Sequence, residues 1–123
     1  MNIQQDANTA EYNISRYQPG KIWVNQLCYR NSILISPTSF QADWVPQTFS
    51  ELQPKHLHNL FDTPPEIFIL GTGEHLHFPA SEWLLPFYEK GIGVEIMDSL
   101  RAVYTYTILC SEERQVAAGI LIE

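Results

Sequence analysis

The run Glu66-Ile67-Phe68-Ile69-Leu70-Gly71 limits the fold of this chain more than any other stretch, because it holds four large apolar residues in succession. A strand of that kind has no face to give to water. It is buried on both sides, as strands are in parallel or mixed sheets covered by other layers. With 123 residues, 45% of them hydrophobic, the chain can build one such core, burying about two thirds of its unfolded surface. The expected class is therefore α/β: a single domain with a central mixed sheet flanked by helices.

The stretches around this run fill in the layout. Ile92, Val94 and Ile96 alternate with Gly93 and Glu95, which predicts a strand. Residues 115–122 read as a closing strand. Between them, Leu100 to Cys110 is rich in Val, Thr, Tyr and Ile, a composition that favours a strand. The capping pair Asp98–Ser99 and the charged stop at residues 111–114 favour a helix instead. A helix would make a β-α-β crossover and a strand a meander; the residues leave both open. Residues 82–90 are expected to be helical, with Ser81 as N-cap and Glu82 near the positive end of the dipole. Pro86, at the fifth position, should kink that helix or split it. Pro54 can start a short helix to residue 61, with Leu57, Leu60 and Phe61 on one face, stopped by Pro64–Pro65.

Toward the N-terminus, Gly20 opens a β-rich stretch of two or three strands ending at Pro37, with tight turns at Asn25–Gln26 and residues 30–32. This predicts an N-terminal hairpin or meander packed beside the main sheet. Residues 1–15 are polar and without period, and read as a loosely ordered arm docked through Ile3, Tyr12 and Ile14, leaving 16–123 as the domain. Trp44 and Phe49 lie in a Pro-bounded loop and are expected to cover one edge of the core.

The charge pattern sets aside several functions. The formal charge is −7, and the seven basic residues are scattered. Nucleic-acid binding needs clustered cations, and anionic membranes attract them too, so neither partner is expected. No run approaches the ~20 apolar residues of a membrane helix. The first twenty residues resemble neither a secretion signal nor a transit peptide. Cys28 and Cys110 lack metal or redox spacing and read as buried free thiols. A soluble, cytoplasmic location is the expectation. The charged share of 17% is low enough to leave apolar surface for a partner or a homodimer.

Two stretches are similar to hallmarks of the domain-of-unknown-function 498 family: Pro65-Glu66-Ile67-Phe68-Ile69-Leu70-Gly71-Thr72-Gly73 and Gly91-Ile92-Gly93-Val94-Glu95-Ile96-Met97-Asp98-Ser99. Thr105-Tyr106 and Glu113-Arg114-Gln115-Val116-Ala117-Ala118 follow in the family's order, and the likeness runs from about residue 16 to 122. This is the family of the mitochondrial complex I assembly factor 3, with many bacterial members. The resemblance implies a mixed sheet among helices, an added N-terminal hairpin, and a helix over 99–110. It also shows departures: Ser99 stands where the family has Thr, Tyr104 where it has Arg, Thr107 where it has Asn, and Glu113 where it favours Gly.

Candidate sites are few. Gly71-Thr72-Gly73 offers two glycines at a strand end, where backbone N–H groups can form an anion nest and open α/β sheets commonly bind ligands; it reads equally as a tight turn. Asp98 and Ser99 are helix caps before they are catalysts, since Ser99 lacks the G-x-S-x-G context. Arg114 can bind an anion or pair with a carboxylate such as Glu112 or Glu123. His56/His58 and His75/His77 are i, i+2 pairs without a third ligand nearby, so no metal is expected. No cofactor and no catalytic residue is assigned.

Two functions follow. The first is a non-enzymatic interaction or assembly protein, resembling a complex I assembly factor. Trp23, Trp44 and Trp83 would be its exposed anchors, and a respiratory-complex subunit is the class of partner. The second is a small-molecule binder or enzyme at Gly71–Gly73, near Ser99 and Arg114. A concave pocket joining Thr72, Ser99 and Arg114 would favour the second.

Overall fold

The computed structural model describes residues 10–58 and 60–123. The apolar run Ile67–Leu70 with Gly71 forms β6 (Ile67–Gly71), which lies inside a five-stranded mixed sheet of order β5-β4-β8-β6-β7. Its partners are β7 (Gly93–Met97) and β8 (Val116–Ile120), both parallel to it. β4 (Ile33–Ser36) runs antiparallel to β8, and β5 (Ser39–Gln41) antiparallel to β4. The β5 strand was not foreseen: Pro37 sits in the two-residue turn between Ser36 and Ser39 and does not end the β-structure. Proline suits such a turn because its fixed φ is already that of the position.

Alternate side chains of β6 feed two different cores. Ile69 packs among residues of α2 (Ser99–Ser111) and of the N-terminal strands, whereas Phe68 and Leu70 pack on the other face among Trp44, Leu52, Leu57 and Phe87. Two-sided burial is what the unbroken apolar run required. The connection from β6 to β7 crosses the Phe68 face through α1 (Leu85–Glu89), and that from β7 to β8 returns over the Ile69 face through α2. Opposite directions on opposite faces give both crossovers one hand, as a twisted sheet demands.

The ambiguous segment is helical. Asp98 Oδ1 caps it by accepting the Arg101 N–H at 2.9 Å. Its buried positions are Ser99, Ala102, Val103, Tyr106 and Cys110, an i, i+3, i+4, i+7, i+11 series. Val and Thr have slight helix penalties of at most about 0.7 kcal/mol each, and burial of one whole face outweighs them.

A separate three-stranded antiparallel sheet, β1 (Ile14–Gln18), β2 (Lys21–Val24) and β3 (Leu27–Tyr29), packs beside α2. The β2–β3 loop is Asn25–Gln26, with φ of 49° and 74°. This is the positive-φ pair that a tight hairpin needs. Asn25 holds it by accepting the Asn13 N–H and donating to the Glu11 carbonyl, both at 2.9 Å. Strand β1 takes in Ile14 and Ser15, two residues read from sequence as part of the arm. Ile14 is buried and Tyr12 packs on the core, while Ile3 and the rest of residues 1–9 lie outside the described residues.

Several local expectations are corrected. Pro86 does split the 81–90 segment, into a 3-10 turn (Ser81–Leu84) and α1, but Ser81 lies inside the turn and Ala80 is its cap. The helix at Pro54 is a single 3-10 turn, Pro54–Leu57. Trp44 is 3% exposed, so it is not a surface anchor; Trp23 and Trp83 are half-buried. Trp44 covers a sheet face and not an edge: a Cβ on Gly119, in mid-β8, would stand 2.8 Å from its ring. Cys28 is exposed, unlike Cys110, because it stands opposite Trp23 on the outer face of its sheet, away from the face that buries Ile22 and Val24.

Tyr17 links the two sheets by donating its hydroxyl to the Ile122 carbonyl at 3.2 Å. Burial, with lesser pressure from Glu74, Asp98 and Glu123, pushes its phenol from 10 to about 12. A raised pKa favours the protonated native form, so this contribution is complete below pH 10 and is lost as pH climbs to about 12. Stability should fall by about 2–3 kcal/mol across that window from this group. Urea unfolding measured at successive alkaline pH values checks it: Tyr17→Phe should flatten the decline, and an unchanged slope would refute the assignment.

Candidate functional site

β6 ends in Gly71-Thr72-Gly73, and the chain packs tightly around this corner. A Cβ on Gly71 would lie 2.9 Å from Ser99 Oγ and 3.0 Å from the Ala102 Cβ, so only glycine lets α2 approach the strand this closely. Gly73 has φ +98°, and a Cβ there would collide with the Glu123 carbonyl. Both glycines are therefore required by packing alone.

Ser99 is 0% exposed and sits at the centre of the corner. Its Oγ donates to the Leu121 carbonyl at 2.7 Å and accepts the Gly73 N–H at 2.8 Å, tying three chain segments together. The Thr72 N–H donates to the Met97 carbonyl, the Ser99 N–H to the Gly73 carbonyl, and the Leu121 N–H to the Gly71 carbonyl. Thr72 Oγ1 donates to the His75 carbonyl at 2.7 Å and accepts the His77 N–H at 3.1 Å. The N–H groups of Thr72 and Gly73, which an anion nest would turn outward, are thus spent on the fold. Among the described residues no buried side-chain polar atom lacks a partner.

Arg114 is not part of this corner. It precedes β8, whereas Gly71 aligns with Ile120 at the far end of that strand, and the strand alone spans roughly 13 Å from Val116 to Ile120. Its Nε donates to Glu66 at 3.0 Å, a pairing that raises the already high guanidinium pKa. The expected carboxylate partners, Glu112 and Glu123, are replaced by one that sequence distance hid. A pocket uniting Thr72, Ser99 and Arg114 is accordingly not formed. Arg114 instead borders an open cleft of about 640 Å³ at the amino ends of β6 and β8, together with Pro37, Phe61, Pro64 and Val116. Cys110 lies in its wall, and burial pushes that thiol up, away from the reactive thiolate.

Two of the four histidines have side chains that serve the fold. His56 Nδ1 accepts the Gln53 N–H at 2.9 Å, and burial followed by the Lys55 charge lowers its pKa. The His77 ring stacks on Phe49 at 4.9 Å. No group of three or more His, Cys, Asp or Glu among the described residues is placed to hold a metal.

Sequence reasoning assigned no docking role to the loops outside this corner. Gln47 clamps one of them: its amide donates to the Trp44 and Val45 carbonyls and accepts the Ser32 N–H, while its own carbonyl accepts the Glu123 N–H. Thr72 clamps the other, and the Phe49–His77 stack joins the two. These pinned loops carry Val45, Leu76 and Phe78, which are 70%, 49% and 70% exposed. The only sequence signal was isolated apolar residues among polar and Pro neighbours, and it does not tell outward from inward.

The fold and this corner together define a mixed α/β domain with a self-satisfied strand end beneath apolar loops. Residues 14–121 match the family described as "Protein of unknown function (DUF498/DUF598)", and the chain belongs to that family. It is similar to a crystal structure of a Bordetella parapertussis protein, with a TM-score of 0.83 and 31% identity over 91% of this chain and 96% of that one. It is 28% identical to the "13 kDa major membrane protein" of Francisella tularensis subsp. holarctica, over 98% of this chain and 99% of the relative. It is 27% identical to the Danio rerio "NADH dehydrogenase [ubiquinone] 1 alpha subcomplex assembly factor 3", over 98% of this chain and 70% of that protein. Among the described residues no helix is long and apolar enough to cross a membrane.

Proposed function

We propose that this domain works without catalysis, as a protein-interaction or assembly-type module that docks through the loops at the carboxyl end of its sheet. The observation that carries this reading is the exposure of Val45, Leu76 and Phe78 on loops fixed from beneath by Gln47, Thr72 and the Phe49–His77 stack. Aromatic anchors on a rigid base lose little entropy on docking and dominate interface energy. Exposed apolar side chains gathered at one end of a domain are the kind of surface that marks an interaction site. The likeness to a complex I assembly factor supports a subunit of a respiratory complex as the class of partner. The free thiols Cys28 and Cys110 support a reducing, cytoplasmic-type compartment.

The test is affinity capture from the native cell with wild-type protein and with a Leu76→Asp/Phe78→Asp double variant, folding being checked by circular dichroism. The variant is expected to lose captured respiratory subunits by at least about tenfold, since two central contacts cost more than ~1.4 kcal/mol. Equal recovery by both proteins would reject the surface. Substrate turnover by the purified protein would reject the non-enzymatic reading.

A further inference from the structure

Helix α2 buries one face and leaves an apolar line on the other. Leu100, Tyr104 and Ile108, spaced by four, are 44%, 61% and 56% exposed. Residues at i, i+4 and i+8 lie along a single ridge of a helix, the kind that interdigitates with a second helix. The ridge lies on a different element from the loops that carry Leu76 and Phe78.

The charges beside this ridge indicate what covers it. Arg101, at the helix start, has a side chain that is 79% exposed, and its ion pair with Asp98 at 3.3 Å leaves its other donors open to solvent. Glu112, at the helix end, is also exposed. They are eleven residues apart, which is three turns and about 16 Å, so they occupy the same flank of the ridge at opposite ends. In an antiparallel helix pair, equivalent flanks meet each other. Arg101 of one copy then comes beside Glu112 of the other, twice by symmetry. The register that sets Tyr104 of each copy against Ile108 of the other places these charges within one residue of alignment. Antiparallel packing also sets each helix dipole against its opposite. The ridge is therefore self-complementary, as a two-fold interface must be.

We propose that a second copy of this chain covers the Leu100–Tyr104–Ile108 ridge, forming a two-fold dimer through antiparallel α2 helices with Arg101–Glu112 pairs at both ends. One helix face covers less than the ~800 Å² per partner of a standard interface. The dimer is accordingly weak, and dissociates on dilution into the range of roughly 10 µM.

Sedimentation equilibrium from low micromolar to about 1 mM tests this. Wild-type protein is expected to pass from monomer to dimer, and Tyr104→Glu/Ile108→Glu to lose at least about 50-fold in association while keeping its circular dichroism spectrum. Arg101→Glu alone and Glu112→Arg alone should each weaken association about tenfold, and the double charge swap should restore it to within about threefold. Phe78→Asp, which tests the docking loops, should leave the dimer unchanged. A wild-type monomer at 1 mM overturns the proposal. So does a dimer indifferent to the ridge variant, or a double swap that fails to restore what the single swaps remove.

Discussion

Ser99→Ala is expected to destabilise the protein by about 2–4 kcal/mol, because it strands two buried backbone groups at once. The Gly73 N–H loses its acceptor and the Leu121 carbonyl its donor, at 2.8 and 2.7 Å respectively. Neither group has water to turn to, since Ser99 is 0% exposed and Gly71, Thr72 and Gly73 are all buried. An unsatisfied buried group costs about 1–3 kcal/mol, so two of them far exceed the removed hydroxyl's small net worth. In thermal unfolding this amounts to a fall of roughly 8–15 °C for a domain of this size. The result also separates two roles for the serine: a purely reactive hydroxyl could be deleted with little change in stability. A melting temperature within a degree or two of wild type would therefore refute the structural role.

Phe68→Ala is expected to cost about 3–5 kcal/mol, the range for emptying a fully buried aromatic site. Phe68, the second residue of β6, is 0% exposed, stacked on Phe87 with centroids 4.8 Å apart and tilted against Phe61 at 6.2 Å. Its neighbours on the strand are held by β7 and β8 on either side, so the backbone cannot move in to fill the void. Phe68→Leu keeps most of the volume and should cost about 1–1.5 kcal/mol. Phe61→Ala, at a partly exposed position, should cost less than Phe68→Ala. Urea unfolding of the three variants gives the order directly. A Phe68→Ala cost below that of Phe61→Ala would mean that this face of the sheet is not a close-packed core.

The contrast between these two positions shows where local pattern suffices. Phe68 announces its burial on both sides through its neighbours alone, since four successive apolar side chains leave no wet face in any register. The alternation at Ile92, Val94 and Ile96 and the splitting effect of Pro86 are equally local, and the structure carries both. Leu100 to Cys110 is different. Its composition leans toward a strand, and the buried series from Ser99 to Cys110 makes sense only once β6, β8 and the N-terminal strands stand opposite it. The family resemblance supplied the helix; propensity did not. Strands β1 and β5 were missed for a related reason. Both are short: β5 is largely exposed, and β1 buries only Ile14 and Tyr17, a spacing of three that is not the alternation of a strand, so pairing with a neighbour holds each of them.

The candidate site divides along the same line. Chain order alone marked Gly71-Thr72-Gly73 as a turn at the end of a buried strand, and Asp98–Ser99 as a cap, because both are properties of a few consecutive residues. That the Ser99 hydroxyl closes this turn against Leu121, while Arg114 lies at the opposite end of β8 bound to Glu66, depends on partners 22 and 48 residues away. The outward display of Leu76, Phe78 and the α2 ridge is of the same kind. Whether an apolar side chain is core or surface is set by what folds over it, and that arrangement exists only after distant segments have met.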